Sequence, residues 1–319
     1  MSLSKTIINC LICPKCKSEI HNINGWYQCE SSSCGNKYPI IDDVPILINE
    51  DNSIFSINDF VVGRPTTTVS RRSGSLANLL SSLIPKIGKN IKAEKNYKSF
   101  LKFLIDKPPS RNVLVIGGEA SGSGMESLIN SNEVELTETD VSFGSRTMIV
   151  CDGHDIPFSN NTFDGVVVQA VLEHVVDPYR CVEEIHRVLK TDGIVYAETP
   201  FMQQVHMGRY DFTRFTHLGH RRLFRKFKEI DSGAVCGPGM ALAWSYQYFL
   251  LSFAKSKIMR KLIIYFTNFT SFFLKYFDYY LIDKDGAYDS ASGYYFFGKK
   301  SDSILSDKEL IKSYRGSQK

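Results

Sequence analysis

The aromatic C-terminal third of this 319-residue chain lacks a run long enough to cross a lipid bilayer. Its run 262–274 has 13 uncharged residues, whereas a membrane-spanning helix needs roughly 20 apolar residues. The segment 1–9 is too short for a signal peptide and leads directly into cysteines. The net charge of +4 is too small to indicate nucleic-acid binding by itself. We therefore expect a cytoplasmic protein.

The eight cysteines also lack the pattern of a secreted disulfide framework, because four cluster near the N-terminus and the rest are scattered. The cluster reads C-x2-C-x12-C-x4-C. Four thiolates in two close pairs suit a tetrahedral Zn²⁺ ion. A segment of about fifty residues buries too little apolar surface to fold alone, so the metal would supply its folding energy. The predicted metal ligands are Cys13, Cys16, Cys29 and Cys34.

A stretch in the middle of the chain reads as a strand, a helix and a second strand. The strands are the apolar runs 164–169 and 194–198. Asp177 is the expected N-cap of the helix, Pro178 takes its first position, and Gly193 lies just beyond its end. Because both strands are apolar on both faces, the unit predicts an α/β fold with a parallel sheet covered on both sides. The helix face expected to pack on the sheet consists of Val182, Ile185, Val188 and Leu189.

The same stretch resembles the second half of the class I S-adenosylmethionine-dependent methyltransferase domain, in the subgroup called methyltransferase type 11. The matching motifs are Asp152, Ile156-Pro-Phe158, Thr162-Phe-Asp164, Leu172-Glu-His-Val175, Asp177-Pro178 and Arg187-Val-Leu-Lys190. The resemblance implies a doubly wound, Rossmann-like sheet that is mostly parallel. It also implies that the last strand, near 292–298, runs antiparallel at the sheet edge. The implied methyl donor is S-adenosylmethionine.

The cysteine cluster resembles the short zinc-ribbon proteins that activate tRNA and protein methyltransferases. The shared features are Cys-Pro-x-Cys-Lys from Cys13, Cys-Gly-x-x-Tyr-Pro-Ile from Cys34, and Ile41-Asp-Asp-Val-Pro45. That family usually has two residues between its last two cysteines, whereas this chain has the four residues 30–33. The resemblance implies bound zinc. The ribbon is then structural, a contact to nucleic acid, or a docking face.

The donor site is expected where the strand 113–116 runs into a glycine-rich loop, because ligands of such sheets lie beyond the carboxyl ends of the strands. Asp140 lies 23 residues after Gly117, and its carboxylate can accept hydrogen bonds from ribose hydroxyls; Glu138 is a competing candidate. By resemblance, Asp152 takes the adenine amino group and Gln169 faces the sulfur. The predicted cofactor-binding residues are Gly117, Gly118, Glu119, Asp140, Asp152, Gly153, His154 and Gln169.

The sequence departs from the methyltransferase pattern at two places. Val115 stands where an acidic residue is usual near the end of the first strand, and the glycine loop is longer than the family's. Glu119, inside that loop, is one candidate to replace the missing carboxylate near the ammonium group of the donor. The alternative is that donor binding is weakened or lost.

The acceptor side is expected in the segment 201–222, which follows the fifth strand and carries several polar side chains. The predicted catalytic residues are His206, Asp211 and His220, since imidazole and carboxylate groups can take a hydroxyl proton. The alternative is that Asp211 pairs structurally with Arg214 and that the histidines are surface residues. Thr216 is the expected cap of a helix reaching Phe227.

The segment 241–283 is aromatic and basic, which is typical of an interfacial helix pair. The alternatives are a helical cap over the acceptor pocket or a dimer face. The expected domains are a zinc ribbon (1–50), a linker (51–90), the methyltransferase core (91–240), the aromatic and basic insertion (241–283), the final strand (284–303) and a polar tail (304–319).

These observations predict a methyltransferase that transfers a methyl group to an oxygen acceptor, such as a sugar or a lipid-linked glycan. The Asn/Asp-Pro-Pro-Tyr pattern of amino-group methylation is absent after the fourth strand. Peripheral contact with the inner face of the membrane is expected through 241–283. The alternatives are an rRNA or tRNA methyltransferase that grips RNA with the ribbon, and a catalytically silent binding module. Oligomeric state stays open.

Overall fold

The computed structural model describes residues 3–63, 84–108, 111–118 and 122–318. Within these residues, eleven strands form one continuous sheet. The strands are β1 (Ile20–Ile23), β2 (Trp26–Cys29), β3 (Lys37–Ile41), β4 (Val44–Leu47), β5 (Asn112–Ile116), β6 (Glu135–Asp140), β7 (Ile149–Cys151), β8 (Phe163–Gln169), β9 (Leu189–Pro200), β10 (Phe227–Cys236) and β11 (Gly293–Lys300).

The order of the strands across the sheet is β1-β2-β3-β4-β7-β6-β5-β8-β9-β11-β10. The stretch from β4 to β9 is parallel, whereas β1 to β4 and the pairs of β11 are antiparallel. From β5 the chain first builds the sheet toward β7 and then returns to build β8 and β9 on the other side. A ligand crevice is expected at this switch between β5 and β8. The predicted α/β fold is therefore confirmed, with a parallel central part, whereas the whole sheet is mixed and not mostly parallel.

The last strand, β11, is antiparallel as predicted, but the expectation that it lies at the sheet edge is wrong. It lies between β9 and β10, with Phe296 opposite Ala197 on one side and Ser232 on the other. Strand β10 is not predicted from the sequence, because Lys228, Glu229 and other polar residues in its first half interrupt the apolar alternation typical of a strand.

The described residues form eleven α-helices. They are α1 (Lys5–Ile8), α2 (Ile57–Val62), α3 (Ala93–Ile105), α4 (Glu126–Ile129), α5 (Pro178–Val188), α6 (His217–Leu223), α7 (Pro238–Leu251), α8 (Lys257–Ser271), α9 (Leu274–Leu281), α10 (Ala287–Ser290) and α11 (Asp307–Lys312). None of them is both long and apolar enough to cross a bilayer.

The central sheet is buried on both faces, as its apolar strands predict. On one face, Tyr97 and Phe100 of α3 pack with Val113, Val115 and Tyr196. On the other face, α5 packs with the alternate residues of the same strands. The buried residues of α5 include Val182, Ile185 and Val188 of the expected face, whereas Leu189, also expected there, begins β9.

Helix α5 begins as predicted and ends earlier than predicted. The side chain of Asp177 accepts the backbone N–H of Arg180 at 3.1 Å, and Pro178 takes the first position. The expectation that the helix extends almost to Gly193 is wrong, because β9 already begins at Leu189. The backbone N–H of Thr162 donates to the carbonyl of Val188 at 2.8 Å, which draws the chain out of the helix and into the sheet.

The N-terminal segment joins the main sheet through β4. Ile46 and Leu47 pair in parallel with Val150 and Cys151 of β7. Within the expected linker, α2 has a Ser56 capping box and buries Phe60, while residues 64–83 lie outside the described part. The sheet is continuous from the ribbon into the core, and the division of the chain into domains stays a prediction.

Candidate active site

A cavity of about 560 Å³ opens at the carboxyl ends of the parallel strands. This volume lies within the range of about 300–1,000 Å³ typical of small-molecule sites. One wall, here called the donor wall, follows β5, β6, β7 and β8 and includes Gly117, Asp140, Asp152, Gly153, His154 and Gln169. A second part of the lining, here called the acceptor wall, includes Glu173, His174, His206, Met207, Tyr210 and Met240. Most of the predicted cofactor residues therefore lie around one space.

The turn after β5 depends on Gly117. Its φ is +81°, and a Cβ atom there would lie 2.3 Å from Cγ2 of Val171. The backbone N–H groups of Gly117 and Gly118 both donate to the carbonyl of Thr139, at 2.9 and 3.0 Å. The glycine thus lets the loop turn at the mouth of the cavity. Gly118 is absent from the cavity lining among the described residues, and the predicted residue Glu119 lies outside them.

Asp140 ends β6 and lines the cavity, with 9% of its surface exposed. Its competitor Glu138 faces elsewhere: both its carboxylate oxygens are engaged by Arg146, one of them at 2.7 Å from Nε. Asp140 lines the cavity and Glu138 does not, so Asp140 is the better placed of the two for a ribose.

Asp152 is already engaged on both carboxylate oxygens. One oxygen accepts the hydroxyl of Ser53 at 2.6 Å, and the other lies 2.5 Å from Nδ1 of His154. Nε2 of His154 accepts the backbone N–H of Asp177 at 3.0 Å, so the ring proton resides on Nδ1 and is donated to Asp152. Asp152 is thereby fixed in orientation beside the cavity.

A buried polar cluster surrounds Glu198, at the end of β9. Its carboxylate accepts hydrogen bonds from Tyr196 at 2.5 Å, Asn90 at 2.7 Å and Gln169 at 2.8 Å. Burial nevertheless raises the pKa of Glu198 to about 7. Tyr97 donates in turn to the amide oxygen of Gln169 at 2.9 Å, so this side chain is held at the cavity by contacts on both ends. Sequence reasoning missed Glu198 and Asn90.

Glu173 is a buried carboxyl group of the acceptor wall whose side chain lacks a hydrogen-bond partner among the described residues. It is 1% exposed, and neither carboxylate oxygen accepts a hydrogen bond from another described residue. Burial raises its pKa to about 8. Its backbone carbonyl accepts the N–H of Phe212 at 2.8 Å, which ties the turn after β8 to the loop after β9. Sequence reasoning quoted Glu173 within its motif and assigned it no role.

Two imidazoles approach Glu173 from different loops. Nε2 of His174 lies 3.6 Å from Oε1 of Glu173, and Nε2 of His206 lies 3.9 Å from the same oxygen. Burial lowers the pKa of His174 to about 4 and also lowers that of His206. Both rings are therefore neutral at pH 7.

Of the three predicted catalytic residues, His206 lines the cavity, whereas Asp211 and His220 are absent from its lining. Asp211 forms a bidentate pair with Arg214, at 2.5 and 2.9 Å, and accepts the backbone N–H of His206 at 2.8 Å. Burial opposes ionisation of Asp211, but these hydrogen bonds lower its pKa to about 2. Asp211 therefore holds the loop that carries His206.

His220 lies in the core and not at the cavity, because α6 turns its ring inward. The ring packs edge-on against Phe224 at 5.2 Å between centroids and is 1% exposed. Burial lowers its pKa to about 3. The expected cap of this helix is present, since Thr216 accepts the N–H of Gly219 at 3.1 Å. The helix ends at Leu223, before the expected Phe227.

The four N-terminal cysteines converge as a group, with their Sγ atoms within 4.8 Å of one another. Cys13 and Cys34 lie 3.8 Å apart, and Cys16 and Cys29 lie 3.4 Å apart. Tetrahedral zinc with bonds of about 2.3 Å requires sulfur atoms about 3.8 Å apart. The hydroxyl of Tyr38 lies 3.1 Å from Sγ of Cys13. The donor set and its spacing fit a zinc ion.

Residues 122–197 match the methyltransferase domain family, a match shorter than half of the chain. A curated relative, cycloartenol-C-24-methyltransferase 1 from Oryza sativa subsp. japonica, is 33% identical over 112 residues. This alignment covers 30% of the present chain and 32% of the rice enzyme, so the chain spans about a third of that relative. The stretch 122–197 that matches the family contains Asp140, Asp152 and Gln169 of the donor wall.

Solved structures with a similar fold include a phosphoethanolamine N-methyltransferase 2 from Haemonchus contortus in complex with S-adenosyl-L-methionine. It has a TM-score of 0.45 and 15% identity, and the match covers 78% of this chain and 61% of that one. A putative sarcosine dimethylglycine methyltransferase from Galdieria sulphuraria has a TM-score of 0.44 and 12% identity, covering 72% and 98%. Likenesses at this level carry no information on the acceptor.

Proposed function

We propose that this protein is an S-adenosylmethionine-dependent methyltransferase that methylates an oxygen of a sugar or a lipid-linked glycan. The observation that carries the proposal is the cavity at the carboxyl ends of β5 to β9, because its donor wall gathers Asp140, Asp152 and Gln169 from the stretch that matches the methyltransferase domain.

The donor wall offers acceptors for the polar groups of a nucleoside. Asp140 can take both ribose hydroxyls, and Asp152 can take the adenine amino group if Ser53 yields its place. Gln169 and Glu198, which are hydrogen-bonded to each other, place amide and carboxylate oxygens where a sulfonium would lie. Bound donor supplies a methyl group on a positively charged sulfur. The protein's part is to align acceptor and donor and to stabilise charge.

The acceptor wall must hold a hydroxyl and favour the loss of its proton. Three titratable groups of this wall, Glu173, His174 and His206, lie close together and line the same cavity as the donor wall. The two histidines are neutral at physiological pH and therefore offer lone pairs. This supports an oxygen acceptor, which needs such help because hydroxyl groups are weak nucleophiles when protonated.

The helices beside the acceptor wall support a lipid-linked acceptor, because they bury polar side chains and expose apolar ones. On α8, Thr267 and Ser271 are buried, while Ile258 is 73% exposed and Leu262 62% exposed. Thr267 accepts a hydrogen bond from Gln247 of α7 at 2.8 Å. A helix of a soluble globular protein normally buries its apolar side chains, so this exposed apolar surface indicates a contact.

The charge of the same surface favours an anionic membrane as that contact. Exposed cationic side chains lie at the start of α8, and the helix has no acidic residue. Basic amphipathic helices bind anionic lipid with the apolar side inward. Met240 of α7 lines the cavity while Leu242 and Phe249 of the same helix are exposed. The surface thus adjoins the place where a lipid-linked acceptor would enter.

We further propose that Cys13, Cys16, Cys29 and Cys34 bind one structural Zn²⁺ ion. The purified protein should then contain zinc, and replacement of Cys13 and Cys16 by serine should remove it and lower the melting temperature. Zinc content of wild-type and double-mutant protein, measured by mass spectrometry, tests this. Equal zinc in the two proteins would contradict the assignment.

Two measurements test the proposed methyltransferase function. Isothermal titration with S-adenosylmethionine should show binding, and absence of heat at high micromolar protein would support the silent binding module instead. Transfer of a labelled methyl group into fractionated lysate should label lipid or polysaccharide. Label in RNA, with binding that weakens steeply as salt rises, would support the RNA methyltransferase instead.

A further inference from the structure

The acceptor wall contains a carboxylate without the partners that burial demands. Glu173 lines the cavity, is 1% exposed, and both of its oxygens lack a hydrogen-bond donor from another described residue. A buried ionised carboxylate without a partner is costly, by several kcal/mol or more, so such groups are paired with a cation or are protonated. Glu173 is therefore either protonated or paired with a cation that binds at this position.

The nearest nitrogen atoms, those of His174 and His206, do not supply a positive charge. Their hydrogen bonds arrange them as lone-pair donors. Nδ1 of His174 lies 2.8 Å from the carbonyl oxygen of Tyr210, and Nδ1 of His206 lies 3.2 Å from the carbonyl oxygen of Gln204. A carbonyl oxygen can only accept, so each Nδ1 carries the ring proton. The Nε2 atoms, which lie toward Glu173, then carry lone pairs.

Lone pairs on two nitrogen atoms and two carboxylate oxygens face one another across a small space. The ligand atoms of Glu173, His174 and His206 all lie within 4.8 Å of one another, and the Nε2 atoms lie 3.6 and 3.9 Å from Oε1. Metal–ligand bonds of about 2.1 Å place such atoms about 3.0–3.4 Å apart. Shortening of the two Nε2–Oε1 distances by about 0.2–0.9 Å, with the two Nε2 atoms brought together from at most 4.8 Å, would thus form a coordination site.

We propose that Glu173, His174 and His206 bind a divalent transition-metal ion at the acceptor wall, with the open coordination positions facing the cavity. Two imidazoles and one carboxylate on one side of an ion form an arrangement that leaves the opposite positions for a substrate oxygen. The backbone carbonyls that accept from Nδ1 are the outer partners that ligating histidines require. The role of the ion in orienting an acceptor oxygen rests on the proposed methyltransferase function, whereas binding of the ion does not.

The donor set distinguishes this site from the cysteine cluster. Thiolates select zinc and other soft ions, while imidazole with carboxylate also holds Mn²⁺, Fe²⁺ or Co²⁺. Mn²⁺ is the weakest binder of the first-row series, so it will not displace zinc from four thiolates. Mn²⁺ is therefore a suitable probe of the proposed site in the full-length, zinc-containing protein.

The experiment measures total metal in the purified protein and then titrates it with Mn²⁺, following the free ion by electron paramagnetic resonance. The expected result is either two metal equivalents as purified, or one equivalent and one further Mn²⁺ bound. One equivalent with no bound Mn²⁺ would overturn the proposal.

Substitutions of the proposed ligands show where the ion binds, and they distinguish loss of metal binding from loss of folding. Glu173→Gln keeps the shape of the side chain, and His206→Ala removes a ligand from a partly exposed loop; each should weaken the second metal at least tenfold. His21→Ala is the control, because Glu19, His21 and Glu30 form a cluster of one imidazole and two carboxylates on the surface, at which Mn²⁺ could also bind. Unchanged affinity in both cavity variants, or loss in the control alone, would contradict the assignment.

Donor titration on the same samples distinguishes the two proposals. Metal binding without any binding of S-adenosylmethionine would leave the metal site standing and defeat the proposed function. Donor binding and methyl transfer by protein that holds zinc alone would defeat the metal site and leave the function standing.

Discussion

The two walls of the cavity differ in how they are built. The donor wall consists of residues at the ends of neighbouring parallel strands, and most of it lies in the stretch that matches the methyltransferase domain. The acceptor wall joins the turn after β8, the loop after β9 and helix α7. Strand ends meet because the register of the sheet fixes them, whereas loops meet through individual tertiary contacts. Most of the first wall can therefore be predicted from sequence, whereas of the second wall the sequence predicts the segment 201–222 and His206 but not the contact with Glu173.

The largest expected effect comes from the turn that opens the donor wall. Gly117→Ala would force an L-residue to φ +81° and place its Cβ 2.3 Å from Val171. The left-handed conformation alone costs about 1–2 kcal/mol, and the clash adds to it. We expect donor affinity to fall about 100-fold and the melting temperature to drop.

Gly208→Ala is the control for that change, since Gly208 also has a positive φ, of +58°, but no atom within 4 Å of its Cβ position. It should lose stability through backbone strain alone and keep donor affinity. Equal loss of donor affinity in both variants, measured by titration calorimetry, would show that Val171 plays no part in shaping the loop.

The next largest effect tests the ribose partner. Asp140→Asn removes a charged acceptor, and hydrogen bonds to charged groups contribute about 1.5–3 kcal/mol. Donor affinity should fall about 10- to 100-fold, while the second metal at the acceptor wall stays bound. Asp302→Asn, at an exposed position, is the control. Loss of metal in the Asp140 variant would mean that the two walls are not independent.

The pH dependence of the free energy of unfolding tests Glu198, the residue that contacts Gln169 of the donor wall. The pKa of Glu198 is raised to about 7 in the folded chain from its ordinary 4.5, so the folded state keeps a proton that the unfolded state releases. The free energy of unfolding should therefore fall as pH rises from about 5 to 8. Glu198→Gln removes this contribution. The wild type should lose about 1–3 kcal/mol relative to the variant over that range.

Urea unfolding of both proteins at pH 5 and pH 8 gives this difference directly. Because all other titratable groups are the same, their contributions cancel. A difference that does not change with pH would show that the donors from Tyr196, Gln169 and Asn90 keep Glu198 ionised throughout.

A smaller effect is expected at the helices that expose apolar side chains beside the acceptor wall. Replacement of Ile258 and Leu262 by serine removes two exposed apolar side chains, each of which gains about 1.5–3 kcal/mol when fully buried. Co-sedimentation with vesicles containing phosphatidylglycerol should weaken about tenfold or more, without loss of donor binding. Oligomerisation that disappears in the variant, with no vesicle binding by the wild type, would indicate a dimer face instead.

The smallest effect should come from Ser53→Ala. The hydroxyl of Ser53 occupies an oxygen of Asp152 that adenine would need. Its removal costs two hydrogen bonds of about 1 kcal/mol each in the free protein, the one to Asp152 and the one that its oxygen accepts from the backbone N–H of Phe55 at 3.1 Å, and it removes a competitor of the donor. Donor affinity should change by fivefold or less. A loss of 100-fold would show that Ser53 contacts the donor itself.

The sequence predicts those parts of the fold that short-range patterns determine. Asp177 and Pro178 mark the start of α5, and the apolar runs mark β5 and β8, because capping and burial are local properties. The position of β11 was not predictable, since it depends on pairing with β10 across some sixty residues. Glu173 gave no signal either: its importance comes from burial beside two loops, which no spacing in the sequence reveals.

The pairing of β4 with β7 has a consequence for any attempt to isolate the catalytic core. A chain begun at residue 51 would leave the backbone groups of Ile149–Cys151 unpaired along a parallel edge. Exposed edges of this kind recruit strands from other molecules. The shortened chain would also lack the Asn49 amide that donates to Asp155 at 2.9 Å. Aggregation of such a shortened chain would therefore result from the exposed edge of β7. It would not show that the donor pocket fails to form.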